Sequence, residues 1–244
     1  MVPPGIGGSV EGLHAVAAAL DVGRVVSLTI ERGRVESHGD LIAAARATGA
    51  AVEVVDDVRP RAETSAPQGV IAACRPLRTV GLDDLVHGDG TDAVVVLDHL
   101  EDPRNVGAIA RSAAAAGMTG MVVAGRRAAP LGATAFKAAA GALERLPVAV
   151  VSAIPAALER LREHGLWAVG LDGSADRSLF GLALLTEPVS IVVGAEGSGL
   201  ARLTAQRCDV LARIPMAAGV ESLNASVAAS LAVFEVSRAR RGSE

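Results

Sequence analysis

Two five-residue runs constrain this chain most: Ala93-Val94-Val95-Val96-Leu97 and Val189-Ser190-Ile191-Val192-Val193. Neither alternates polar with apolar residues, so a strand built from either has to be covered on both faces. That is the condition of a parallel sheet lying between helices. The stretches between and after them fit the same scheme. A helix begins near Asn105 and extends to Ala116, Gly120 to Ala124 is a strand, and Thr134 to Ala140 is helical. Val148 to Val151 is a strand, Pro155 to His164 a helix, and Leu166 to Leu171 a strand. Strands alternating with helices predict an α/β fold with a mainly parallel sheet and helices on both faces.

The stretch from Val189 to Val236 carries the functional signal. The strand at Val189–Val193 breaks at once into Gly194-Ala195-Glu196-Gly197-Ser198-Gly199-Leu200. A second apolar run, Val210 to Met216, gives way to Ala217-Ala218-Gly219-Val220-Glu221-Ser222-Leu223-Asn224-Ala225-Ser226. In open α/β sheets ligands bind in loops at the carboxyl ends of strands, and glycines let backbone N–H groups approach a ligand closely. The alternative is a pair of ordinary tight turns. Val227 to Val236 is apolar almost all the way round, which predicts a buried helix.

The amino-terminal part forms a separate small α/β unit. It comprises an alanine-rich helix ending near Leu20, a strand at Val25–Ile30, a helix at Asp40–Ala47 and strands at Val52–Val55 and Val70–Cys74. Leu77 to Asp92 holds Gly81, Gly88, Gly90 and scattered aspartates with weak periodicity. This divides the chain into an amino-terminal domain (1–76), a linker (77–92) and a carboxyl-terminal domain (93–244).

Composition removes several classes of function. With 244 residues, half of them hydrophobic, the chain can bury a large core. No segment is long and apolar enough for a membrane span, and Met1 to Gly5 has no secretory signal pattern, so a cytoplasmic location is expected. The five histidines are scattered and away from Cys74 and Cys208, so no metal is expected. The two cysteines read as buried free thiols. The net charge of −4 does not decide for or against nucleic acid. All the cations but Lys137 are arginine, whose fork grips phosphate even on a mildly acidic chain.

The turn after the first buried strand runs Asp98-His99-Leu100-Glu101-Asp102-Pro103-Arg104-Asn105-Val106-Gly107-Ala108-Ile109-Ala110-Arg111. Asn105 suits a helix N-cap, and Gly107 and Arg111 lie one turn apart. A small residue below a long cation leaves room for a ligand; otherwise Arg111 pairs with Glu101 or Asp102.

Three segments considered together resemble a known family. They are Asn105-x-Gly-x-x-x-Arg111, Gly194-x-Glu196-Gly-x-Gly, and Ile214-Pro-Met216 followed by Ser222-Leu-Asn224-x-Ser226. In this order they resemble the signature motifs of the SpoU-type 2′-O-ribose methyltransferases of the SPOUT superfamily, over about Gly12 to Arg238. Gly12-Leu13-His14-Ala15-Val16 and Gln68-Gly69-Val70 resemble the L30e-like RNA-binding domain of the bacterial 23S rRNA guanosine 2′-O-methyltransferases. Pro67 stands where those enzymes usually have histidine. The resemblance implies a deep trefoil knot, S-adenosylmethionine as methyl donor, an RNA substrate and a homodimer in which Arg111 completes its own or its partner's site. The donor is implied to sit against Gly194, Ile214, Met216 and Leu223, with Ser222, Asn224 and Ser226 supporting the last loop. Asn105, Arg111, Glu196 and Asn224 are the implied catalytic cluster.

A ribose hydroxyl is a weak nucleophile and the donor methyl must be approached in line, so positioning carries most of the acceleration. An arginine keeps its proton far above neutral pH. Arg111 therefore reads as a clamp on phosphate and hydroxyl, with Glu196 orienting either Arg111 or Asn105, and the base is left open. The favoured substrate is a guanosine of 23S rRNA in the peptidyl-transferase region; the alternatives are a tRNA or another rRNA ribose. A catalytically silent RNA-binding protein is a further alternative. A nucleotide-dependent oxidoreductase fits poorly, because Gly-Ala-Glu-Gly-Ser-Gly is not Gly-x-Gly-x-x-Gly. Since every donor motif follows Asp92, residues 1–76 are expected to be dispensable for donor binding.

Overall fold

A computed structural model describes residues 6–126, 128–220 and 222–241. The readings made above on Met1 to Gly5 and on Glu221 lie outside these. The chain forms two compact units, Met1–Arg78 with Pro130–Arg145, and Thr79–Ala129 with Leu146–Glu244.

The first unit contains β1 (Ser9–Glu11), α1 (Leu13–Asp21), β2 (Val25–Glu31), α2 (Gly39–Ala47), β3 (Ala51–Val55) and β4 (Val70–Cys74). Its sheet has the order β1-β4-β2-β3, with β4 antiparallel to β1 and β2 and with β2 parallel to β3. Ser9–Glu11, directly ahead of the alanine-rich helix, is the edge strand β1. The Gln68-Gly69 turn bends through positive φ at both residues (61° and 79°), and Gln68 Oε1 accepts the Leu13 amide at 3.2 Å. Pro67 is buried at the start of this turn, and its carbonyl accepts the Val70 amide at 3.3 Å. The buried Glu11 carboxylate accepts the Glu63 amide at 2.5 Å and the Thr64 amide at 3.1 Å, holding the 62–68 loop.

The second unit contains β5 (Ala93–Leu97), α3 (Pro103–Ala116) and β6 (Gly120–Ala124). The chain then supplies α4 (Ala133–Ala139) to the first unit and re-enters the second with β7 (Val148–Val151). After that come α5 (Ile154–Glu163), β8 (Trp167–Leu171), β9 (Arg177–Ser178), β10 (Val189–Val193), α6 (Arg202–Arg207), β11 (Val210–Arg213) and α7 (Ala225–Arg241). The sheet runs β7-β6-β5-β10-β8-β11-β9, and every pairing in it is parallel. All five residues of β5 and of β10 are buried, as their unbroken apolar runs predict. One sheet face, through Val94, Val96, Val122 and Val192, joins Leu158 and Leu161 of α5 in a core that also holds Leu85. α3 and α7 pack on each other, α3 also on β6 and α7 on β10.

Three expectations need correction. The 77–92 segment is not a free linker: Leu85 is fully buried, and Val80 bridges to Ala149. The helix at 133–139 was placed in the second domain, but it belongs to the first unit, where Phe136 is 1% exposed and Arg24 lies over its ring at 5.4 Å. Chain order hid this, because the helix is an excursion between two strands of the other unit. Finally, α7 is not buried all round. Val227, Leu231 and Phe234 remain exposed along one stripe. Among the described residues no helix is long and apolar enough to cross a membrane.

Candidate active site

The site is built where β5 and β10 lie side by side, with Leu97 opposite Val193. The order of connection reverses here, β5 leading outward through β6 to β7 while β8 lies beyond β10. Strand ends at such a reversal splay apart and leave a crevice.

α3 begins at Pro103 rather than at Asn105. Asp102 is the N-cap, accepting the Arg104 amide at 2.8 Å, and Pro103 takes the first helical position, where no amide hydrogen is needed. Asp102 is thereby paired with Arg104, not with Arg111. Asn105, released from capping, is 6% exposed and directs its amide at the β10 loop.

Its Nδ2 donates to Glu196 Oε1 at 3.0 Å. Asn224 Nδ2 donates to the same oxygen at 2.6 Å and to Asn105 Oδ1 at 3.1 Å, and the Ala225 amide adds a longer contact to Glu196 Oε1 at 3.4 Å. Residues 91 and 119 positions apart from Asn105 thus close one polar triangle. The other end of Asn224 starts α7: its Oδ1 accepts the Ser226 amide at 2.9 Å and the Ser226 hydroxyl at 2.6 Å. One side chain therefore anchors both the last helix and the cluster. Of the two partners considered for Glu196, the bonded one is Asn105.

The loop after β10 is closed by its own backbone. Ala195 and Gly199 exchange hydrogen bonds of 3.0 and 2.9 Å, and the buried Asp98 carboxylate receives the Ala201 amide at 2.7 Å where the loop ends. Gly194 is forced by space: a Cβ there would stand 2.2 Å from the Gly199 carbonyl carbon and 2.4 Å from the Leu200 nitrogen.

Beneath this loop lies a cavity of about 530 Å³. Gly194 and Glu196 line it, as do Ile214, Met216, Ser222 and Leu223. Asn224 and Ser226 lie outside the wall, in the cap of α7. Arg111 is exposed on α3 and has no hydrogen bond or ion pair among the described residues, so it is apart from the triangle. Leu171, Asp172 and Gly173 also form the wall and were not foreseen. Their signal was the one already used for the other two loops, small and polar residues directly after a buried strand, here β8. The cavity has apolar walls (Leu171, Ile214, Met216, Leu223) and two carboxylates, Asp172 and Glu196.

Cys208 packs beside Gly170, and burial pushes its thiol up to about 12; Cys74 is raised to about 12 by the same cause. Both cysteines are free. Among the described residues no group of three or more His, Cys, Asp or Glu side chains could hold a metal ion.

A parallel sheet with a cavity under three strand-end loops, and a carboxylate–amide cluster whose carboxylate lines that cavity, defines an α/β enzyme with room for a small ligand at the strand ends. Residues 92–234 match the SpoU rRNA methylase family, and residues 9–80 match the RNA 2′-O ribose methyltransferase substrate-binding domain. The chain belongs to the SpoU rRNA methylase family. It is 40% identical over 237 residues to the 23S rRNA (guanosine-2′-O-)-methyltransferase RlmB of Yersinia pestis, covering 94% of this chain and 96% of that protein. The crystal structure of the SpoU methyltransferase AviRb from Streptomyces viridochromogenes with AdoMet superimposes with a TM-score of 0.81 at 28% identity, covering 96% of this chain and 90% of that one. An AdoMet-bound rRNA methyltransferase from Sinorhizobium meliloti gives a TM-score of 0.78 at 29% identity, over 94% and 86% of the two chains.

Proposed function

We propose that this chain transfers a methyl group from S-adenosylmethionine to the ribose 2′-hydroxyl of a guanosine in 23S rRNA, in the peptidyl-transferase region. The observation that carries the reading is the Asn105–Glu196–Asn224 triangle, whose carboxylate lines the cavity, in a chain 40% identical to an RlmB over nearly its whole length.

The residues present fit the donor. The cavity's volume is that of a site for a small organic ligand, and its apolar side chains suit the faces of an adenine ring. Gly194, Ile214, Met216, Ser222 and Leu223 hold the donor, Asp172 supplies negative charge beside it, and Asn224 and Ser226 fix the loop that covers it. The donor supplies an electrophilic methyl on a sulfonium. The chain's own contribution is orientation: Asn105 and Asn224 lock Glu196, and Arg111 clamps the phosphate beside the target ribose. The first unit binds the RNA around the target.

The proposal includes a homodimer, with Arg111 serving its own or its partner's site. The exposed Val227, Leu231 and Phe234 recur at i, i+4 and i+7 on α7, a stripe that a second copy would cover. Phe234→Glu should turn a dimer into a monomer by analytical ultracentrifugation; a monomeric parent would remove this part. The trefoil knot is likewise part of the proposal, and it rests on the chain's membership of the SpoU rRNA methylase family. We take the enzyme to be cytoplasmic because its substrate is ribosomal RNA.

Mapping ribose methylation in total RNA from a strain lacking the gene tests the assignment. A single lost 2′-O-methylguanosine in 23S rRNA is expected. Unchanged 23S rRNA with a lost tRNA methyl would overturn the substrate.

A further inference from the structure

The two carboxylate oxygens of Glu196 have different surroundings. Oε1 receives Asn105 Nδ2 at 3.0 Å, Asn224 Nδ2 at 2.6 Å and the Ala225 amide at 3.4 Å. Oε2 has no hydrogen-bond partner among the described residues, and Glu196 lines the cavity. Donors on one oxygen fix the plane of the carboxylate and leave the other as its open acceptor. The anchor is itself rigid: Asn105 is 6% exposed, and its Oδ1 is tied to Asn224 at 3.1 Å.

Methylation of a hydroxyl needs a proton acceptor. As the methyl bonds to the neutral oxygen, that oxygen takes on oxonium character and sheds its proton readily, so an ionised carboxylate in reach suffices. Arginine is protonated at every pH at which proteins work, and Arg111 stands outside the cavity wall. Asp172, the other carboxylate of the wall, is tied by Oδ1 to the Ser174 amide and hydroxyl of its own loop at 2.8 and 2.7 Å and makes no bond to the Asn105–Asn224 cluster among the described residues.

We propose that Glu196 is the general base, with Oε2 taking the 2′-hydroxyl proton while Oε1 stays bound to Asn105 and Asn224. This rests on the methyltransferase reading above. In the step the O2′–CH₃ bond forms as the CH₃–S bond of the donor breaks, and sulfur keeps the electron pair as a neutral thioether. The hydroxyl proton passes to Glu196 Oε2 and then to water. Asn105 and Asn224 are positioning residues in this scheme.

The test uses Glu196→Gln and Glu196→Ala in the full chain. Single-turnover rates on a saturating 23S rRNA fragment are measured beside donor affinity by calorimetry. Glutamine keeps an oxygen for the two asparagines but puts an amide where Oε2 stood. The rate should fall by about a hundredfold or more, the scale of a lost general base, with donor affinity within about threefold of the parent. Added formate should restore the alanine variant in proportion to its concentration and do nothing for Arg111→Ala. A glutamine variant within tenfold of the parent rate overturns the proposal. So does a loss confined to donor affinity, or an alanine variant that binds donor yet ignores formate. If the alanine variant fails to fold, the glutamine rate alone decides. A parent that binds no donor or leaves the RNA unmethylated breaks the methyltransferase reading instead.

Discussion

Replacing Gly194 by alanine puts a methyl group into the backbone of its own loop. The added Cβ would lie 2.2 Å from Gly199 C, 2.3 Å from Gly199 O and 2.4 Å from Leu200 N, where ordinary contacts begin at 3.4 Å. The crossing strand of the loop must therefore move by about an ångström, and no side-chain rotation can absorb this because every atom met is backbone. The movement strains or breaks the Ala195–Gly199 pair of hydrogen bonds. Two hydrogen bonds at about 1 kcal/mol each and overpacking of about 1–3 kcal/mol give a loss of roughly 3–5 kcal/mol. At about 2–4 °C per kcal/mol, Tm should drop by on the order of 10 °C. Because Gly194 also lines the cavity, donor affinity should weaken by at least about tenfold, or 1.4 kcal/mol. Scanning calorimetry and isothermal titration of S-adenosylmethionine read the two effects separately. A variant with Tm within 2 °C of the parent and an unchanged Kd would refute the argument, because it would show a loop free to move.

Leu223→Arg projects a long cation into the cavity and should abolish donor binding in calorimetry without added metal; unchanged affinity would remove Leu223 from the site. Arg111→Lys keeps charge but loses the fork, so part of the single-turnover rate should survive, whereas Arg111→Ala should lose about 1.5–3 kcal/mol, one to two decades. A pH–rate profile of the lysine variant that shifts toward the titration range of an amine would end the clamp assignment. Deleting residues 1–78 alone should yield an aggregating protein, because Leu131, Phe136 and Leu143 are buried within the unit that is removed. Deleting 1–78 and also replacing 130–145 by a short polar linker should restore a soluble protein that binds donor; calorimetry on both deletions checks the difference.

Much of this protein was determined by the sequence alone. The unbroken apolar runs of β5 and β10 required cover on both faces, which dictated a parallel sheet between helices, and the glycine-rich break after β10 marked the loop over the cavity. Asn105, Glu196 and Asn224 were legible as motif residues, because their types and order are local properties of the chain. What each one bonds to was not. Capping is decided by a few residues of backbone geometry, and Asp102-Pro103 won the start of α3 from Asn105, leaving that amide free to reach Glu196. Nor could periodicity reveal that the helix at 133–139 serves the first unit, since an amphipathic stretch specifies that it needs a partner and not which one. The wall from β8, Leu171 to Gly173, carries the same small and polar strand end, but nothing local says that it joins the site. Chain order separates it from the other two loops, and only the β10-β8-β11 pairing brings the three strand ends together. Local preference chose the elements and their buried faces; long-range packing chose which of them meet at the site.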